Sequence, residues 1–210
     1  MGNLESAIDI RYTGKSCCST SLSCGGAFEL ADLRPGEILI DIGSGRGADV
    51  LRAARVSEAI QYGVDPVDSM LRVSSDSASA IGIENVKFLK GWAHSLPLDS
   101  NFADVVISNC VINHAPDKAA VYSEIHRILK NGGRFVVSDV LAENVIPDAI
   151  KNDPEAVAAC YGGAETKANY FGAIRIAGFR EIEILEESAP YLKGGVEVRS
   201  ITVRGYKIQS

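Results

Sequence analysis

The stretch Glu37–Gly47 reads E-I-L-I-D-I-G-S-G-R-G, and the rest of the chain is organised around it. Ile38, Leu39 and Ile40 form an apolar run too short for a helix and suited to a strand buried on both faces. Asp41 ends the run, and Gly43, Gly45 and Gly47 follow at alternate positions. Glycine permits a tight turn and lets a ligand lie against the main chain, where a Cβ would collide. Residues 48–57 (A-D-V-L-R-A-A-R-V-S) then read as a helix whose N-terminus points back at the loop. Strand, glycine loop and helix open a nucleotide-binding βαβ unit.

Gly43, Gly45 and Ala48 satisfy the loose dinucleotide pattern G-x-G-x-x-G/A, so the glycines alone do not choose the nucleotide. Asp41 shifts the balance. A carboxylate beside a helix N-terminus suits a ligand with cationic or hydrogen-bond-donating groups and would repel a pyrophosphate. The D-x-G-x-G-x-G form resembles motif I of the class I S-adenosylmethionine-dependent methyltransferases. That resemblance implies that Asp41, Gly43, Ser44, Gly45 and Gly47 border the cofactor.

The following elements fit the same frame. Gln61–Asp65 reads as a second strand, and Asp65 lies where an acid can accept both ribose hydroxyls, with Pro66 beside it. Val67–Ala80 reads as a helix that sets Met70 one turn in, where it serves either as core filler or as cover for an adenine face. Val86–Gly91 is a third strand. In methyltransferases of this class the turn after it passes the adenine edge, which implies a cofactor role for Trp92 and Ala93. His94 stands where the family pattern G-x-A-E-x-L-P usually has glutamate.

Asp104–Asn109 (D-V-V-I-S-N) is the fourth strand, and its continuation Cys110-Val111-Ile112-Asn113-His114 sits at the carboxyl edge where ligands bind, with Asn109, Cys110 and Val111 expected beside the cofactor. Asp117–Lys130 reads as an amphipathic helix that Gly132 or Gly133 closes in the left-handed conformation. Arg134–Val140 is the fifth strand, and L-K-N-G-G-R-F-V-V-S-D resembles the L-K-P-G-G motif with Asn131 in place of proline. Pro147–Gly163 reads as a helical insertion and Thr166–Ala177 as a further helix. Arg180–Leu185 and Glu197–Tyr206 alternate as two closing strands around Gly194-Gly195. The resemblance implies a Rossmann-like α/β fold: a seven-stranded, mostly parallel sheet with a C-terminal antiparallel hairpin. It covers about residues 30–207, with 1–30 as an N-terminal arm or lid and 31–210 as the methyltransferase domain.

With 210 residues, 46% of them apolar, the chain can bury a sizeable core. A net charge of −6 without a Lys/Arg run argues against nucleic acid or an anionic membrane as partner. Five cysteines (17, 18, 24, 110, 160), an odd number without a secretory segment, argue against a disulfide framework and for reduced thiols in the cytoplasm.

The acceptor is less legible. Asn109-Cys110-Val111-Ile112 is not the N/D-P-P-Y/F run expected for a ring or amide nitrogen acceptor. His114 is the nearest candidate base for a hydroxyl acceptor, and His126 is expected on an exposed helix face. The cysteine contexts carry more. V-I-S-N-C-V-I-N, S-C-C, S-L-S-C-G-G and A-C-Y-G-G-A together resemble the arsenite S-adenosylmethionine methyltransferases. The resemblance implies metalloid ligation by Cys24 and Cys160. A further cysteine common near the family's C-terminal region has no counterpart here, so a third sulfur is expected from Cys17, Cys18 or a small thiol such as glutathione. Cys110 reads as a buried small hydrophobe. Thiolates are the soft ligands that a thiophilic metalloid prefers. Two other functions fit the same cofactor frame: C- or O-methylation of a small metabolite, and a metalloid- or S-adenosylmethionine-binding protein without turnover.

Overall fold

The structure, a computed structural model, describes residues 26–208. Its elements in chain order are α1 (Ala27–Leu30), β1 (Leu39–Ile42), α2 (Ala48–Val56), β2 (Gln61–Asp65), α3 (Asp68–Ala80), β3 (Val86–Lys90) and β4 (Ala103–Asn109). A 3-10 turn (Ile112–His114) leads to α4 (Lys118–Ile128) and β5 (Leu129–Ala142). Two short helices, α5 (Asp148–Lys151) and α6 (Pro154–Ala158), precede α7 (Lys167–Ile176), β6 (Ile182–Glu187), β7 (Tyr191–Lys193) and β8 (Val196–Tyr206).

The strands form one sheet in the order β3-β2-β1-β4-β5-β8-β6, with β7 added alongside β8. Strands β1 to β5 pair in parallel, and β8 runs antiparallel to both β5 and β6. The seven expected strands are therefore present, and three residues of the last connection add an eighth. Strand order reverses between β1 and β4, so the carboxyl ends of these two strands flank the crevice that open α/β sheets use for ligands.

Period-two alternation sorts the strand side chains between two layers. Ile40, Val106, Phe135 and Val137 face Tyr122, Ile125, Tyr170 and Ile174 of α4 and α7. Leu39, Val105, Ile107 and Val136 face Ala27 and Ala31, around α1, and Ala53 of α2. Residues 27–30, which the sequence reading assigns to the arm, thus form a helix with Ala27 in this second layer. Side chains start three of the helices: Asp117 accepts from Ala120 N (3.0 Å), Asp153 from Glu155 N (3.0 Å) and Thr166 from Asn169 N (3.4 Å).

The end of α4 differs from expectation. The helix stops at Ile128, and Leu129 turns directly into extended backbone (φ −67, ψ 138). Its carbonyl accepts from Lys207 Nζ at 2.8 Å, so no left-handed cap is needed there. Gly132 does adopt φ +82, but within the start of β5, where its N–H bonds Lys207 O at 2.7 Å. The 147–163 insertion is helical, in the form of two short helices.

Candidate active site

The loop after β1 turns through three left-handed glycines, Gly43 (φ 74), Gly45 (φ 52) and Gly47 (φ 77). Gly43 N donates to Val64 O at 2.7 Å, which fastens the loop to β2. A Cβ on Gly43 would lie 2.2 Å from Val111 Cγ2, so the segment after β4 packs directly on the loop. A Cβ on Gly45 would meet nothing within 4 Å, so this part of the loop faces open space. Ser44 Oγ is buried without a hydrogen-bond partner among the described residues.

Asp65 ends β2 and reaches into the loop. Its Oδ2 accepts from Gly45 N and its Oδ1 from Val67 N, both at 2.9 Å. Burial raises its pKa, and these two N–H groups and His114 oppose the rise. A carboxylate has about four lone-pair sites, so acceptor capacity remains for two further donors. Asp41 is buried, and its pKa is pushed well up by burial and then by the charges of Asp49 and Asp65. Asp49 opens α2, accepts from Arg52 (3.0 Å) and receives Asn109 Nδ2 at 3.3 Å. Asn109 Oδ1 in turn accepts from Ala27 N at 3.2 Å, linking α1 to the end of β4. Three carboxylates in one field favour a ligand carrying positive charge.

Of the other expected cofactor residues, Val111 packs on the loop at Gly43. Met70 is only 1% exposed and fills the core beneath α3. Pro66, Trp92, Ala93 and Val111 are half-buried. Ala93 packs against the main core, and Trp92 stacks on the exposed His94 with centroids 6.3 Å apart. His126 is not on an open face: it lies half-buried, edge-on to Phe179 at 5.1 Å.

The second half of the site is built around thiols. Cys110 follows β4 with φ +56, and its N–H bonds Ser138 O at 2.8 Å. Cys160 follows α6 with φ +73. Both are buried, 5% and 4% exposed, and neither forms a disulfide among the described residues. Cys160 Sγ donates to Cys110 O at 3.1 Å and lies 3.3 Å from His114 Nε2. The Cys110 side chain, then His114, holds the Cys160 thiol well below its usual range against the opposing effect of burial. For His114, burial acts to lower the pKa, but the Cys160 contact outweighs it and the net direction is up. Cys110 is thus buried as a small hydrophobe would be, and it is also the immediate neighbour of Cys160. Cys17, Cys18 and Cys24 lie outside the described residues. Among the described residues no cluster of three or more His, Cys, Asp or Glu has metal-site geometry.

Behind the thiols runs a buried polar chain that the sequence reading did not identify. Asn113 Nδ2 donates to Asp139 Oδ1 (2.8 Å) and to Val140 O (2.6 Å). Tyr170 OH donates to Asp139 Oδ2 (3.3 Å), and Tyr122 OH to Tyr170 OH (2.9 Å). Asp139 is fully buried, and burial, followed by the Cys160 charge, pushes its pKa up to about 7. Lys118 is buried nearby, with its pKa lowered by burial. The available signal was Asp139 itself, a carboxylate inside the apolar run F-V-V-S-D-V-L-A.

Residues 33–178 match the family model described as a methyltransferase domain. The chain is 35% identical to an arsenite methyltransferase of Halobacterium salinarum over 81% of its own length and 45% of the relative's. It is 34% identical to the Aquipseudomonas alcaligenes arsenite methyltransferase over 71% of its length and 46% of that protein. It therefore spans about half the length of the curated relatives it matches. The crystal structure of an arsenic(III) S-adenosylmethionine methyltransferase from Chlamydomonas reinhardtii superposes with a TM-score of 0.77 and 26% identity, covering 95% of this chain and 74% of that one. Fold, glycine loop and these likenesses agree, and the chain belongs to the methyltransferase-domain family.

Proposed function

We propose that this protein transfers a methyl group from S-adenosylmethionine to thiolate-bound trivalent arsenic or a methylarsenical. The carrying observation is the pairing of Cys110 and Cys160 beside the glycine loop. Val111, next to Cys110, packs on Gly43, and His114 contributes to the electrostatics of Asp65. The likeness to arsenite methyltransferases supports the same reading.

The loop fits the cofactor chemically. Asp65 has acceptor capacity left for ribose hydroxyls, Gly45 leaves the main chain open to a ligand, and Asp41 with Asp49 favours a cationic group. S-adenosylmethionine, when bound, supplies an electrophilic methyl on a sulfonium. The chain then has two tasks. Cys160 and Cys110 hold the soft metalloid substrate as sulfur ligands, which leaves the arsenic lone pair free. Burial of both thiols keeps water from the reacting centre. Cys24 supplies a third sulfur in this proposal, with Cys17, Cys18 or glutathione as alternative sources. Pro66, Met70, Trp92, Ala93, Asn109 and Val111 remain proposed cofactor neighbours. Reduced thiols fit a cytoplasmic location.

The test is formation of S-adenosylhomocysteine with arsenite and then with methylarsonous acid, each with glutathione present. The expected result is turnover that Cys160→Ser and Cys110→Ser each abolish. Turnover unaffected by both would refute thiolate-held metalloid transfer and favour a small-metabolite acceptor. Arsenite binding without S-adenosylhomocysteine would indicate a binding module.

A further inference from the structure

We propose that Asp139 is a positioning residue that holds the two thiols in register, acting through Asn113. This rests on the reading of Cys110 and Cys160 as a metalloid-binding pair. The two cysteines are 50 positions apart in the chain, on segments that no strand pairing joins directly. One segment runs from Cys110 through the 3-10 turn, which closes by His114 N to Val111 O (2.9 Å) and Ala115 N to Ile112 O (3.0 Å). The other runs from Cys160 through Gly162 and Gly163. They meet at Asn113.

Gly163 lies so close to the turn that a Cβ there would sit 1.8 Å from Asn113 O. The main chain of Asn113 is therefore the surface on which the Cys160 segment rests. What fixes Asn113 is its own side chain, 1% exposed, whose Nδ2 donates to Asp139 Oδ1 (2.8 Å), its sole side-chain partner among the described residues, and to Val140 O (2.6 Å), the residue whose N–H the same Asp139 oxygen accepts. Asn113 Oδ1 has no partner among the described residues, so the amide is oriented entirely through its N–H groups. Asp139 in turn is held from three sides, by Val140 N (2.9 Å), by Tyr170 OH and by Asn113 Nδ2. Tyr122 and Tyr170 carry that support back to α4 and α7 in the core. The chain from core to thiols is thus Tyr122, Tyr170, Asp139, Asn113, and then the two cysteine segments. A neutral asparagine at 139 retains the acceptor for Asn113, whereas alanine removes it.

The experiment uses the full chain carrying Cys17→Ser, Cys18→Ser and Cys24→Ser, so that Cys110 and Cys160 are the remaining thiols. Phenylarsine oxide, which bridges two thiols, is titrated alongside iodoacetamide, which needs one. Two thiols held in register bind the bridging reagent with an effective-concentration advantage of about a hundredfold, and loosening them forfeits much of it. Asp139→Ala is expected to weaken phenylarsine oxide binding about tenfold or more, while Cys160 is alkylated at least as fast as before. Asp139→Asn is expected to restore the affinity. Unchanged affinity in Asp139→Ala, or a loss in Asp139→Asn equal to that in Asp139→Ala, would overturn the proposal while leaving the thiol pair intact. Failure of the Asp139-intact protein to bind phenylarsine oxide tightly would instead refute the pair itself, and the positioning role with it. Should Asp139→Ala not fold, Asn113→Ala removes the other half of the same contact and is read by the same criteria.

Discussion

Asp139 makes stability depend on pH in a direction opposite to that of most carboxylates. Its folded-state pKa is about 7, against 3.8 for the free side chain, because it is fully buried and faces Cys160. Below about pH 4 the folded and unfolded chains both carry the proton, and Asp139 contributes no pH dependence. Between about pH 4 and 7 the unfolded chain has released the proton and the folded chain retains it. Each unit of rising pH therefore costs about 1.4 kcal/mol of stability. Over the whole window the loss approaches roughly 4 kcal/mol, a large fraction of the 5–15 kcal/mol typical of a domain. Asp139→Asn mimics the protonated acid and keeps an acceptor for Asn113 and Val140 N. It should exceed the wild type by only about 1 kcal/mol near pH 4.5 and by up to about 4 kcal/mol near pH 8. Urea unfolding of both proteins at those two pH values measures the difference. A gap that does not widen with pH would refute the placement of a buried, protonated carboxyl at the end of β5.

Two further outcomes test the site from other directions. Gly163→Ala places a Cβ 1.8 Å from Asn113 O although the backbone angle of Gly163 is not left-handed, so the cost is purely steric. It should destabilise by about 1–3 kcal/mol in denaturant unfolding and weaken arsenical binding, and a neutral result would contradict the close packing of the two cysteine segments. Asp65→Ala should weaken S-adenosylmethionine binding in a calorimetric titration by about 1.5–3 kcal/mol, through loss of a charged acceptor. Affinity equal to the wild type would remove Asp65 from the cofactor site.

Much of the fold was legible because it rests on local signals. The apolar run before Asp41, the alternate glycines and the Asp65 spacing each act within a few residues, and the structure places β1, the left-handed loop and β2 accordingly. Helix starts were legible for the same reason, since Asp117 and Thr166 cap their own helices. The end of α4 was not, because its last turn is satisfied by Lys207, which is 78 residues distant from Leu129. His126 could not be placed from the helix pattern alone, since Phe179 covers it from another segment.

The sequence by itself determined the strand–glycine loop–helix unit, the order of elements and the chemistry on offer: acids near the loop and soft thiols near the carboxyl edge. Only the tertiary structure decided which of these groups meet. Cys110 looked like core filler because burial and thiol character are compatible with either role, and nothing local distinguishes them. It becomes half of a pair because β4 and the 160–163 segment are brought together on Asn113, which Asp139 holds from β5. Such contacts are set by packing between segments far apart in the chain, and residue type and spacing do not encode them one by one.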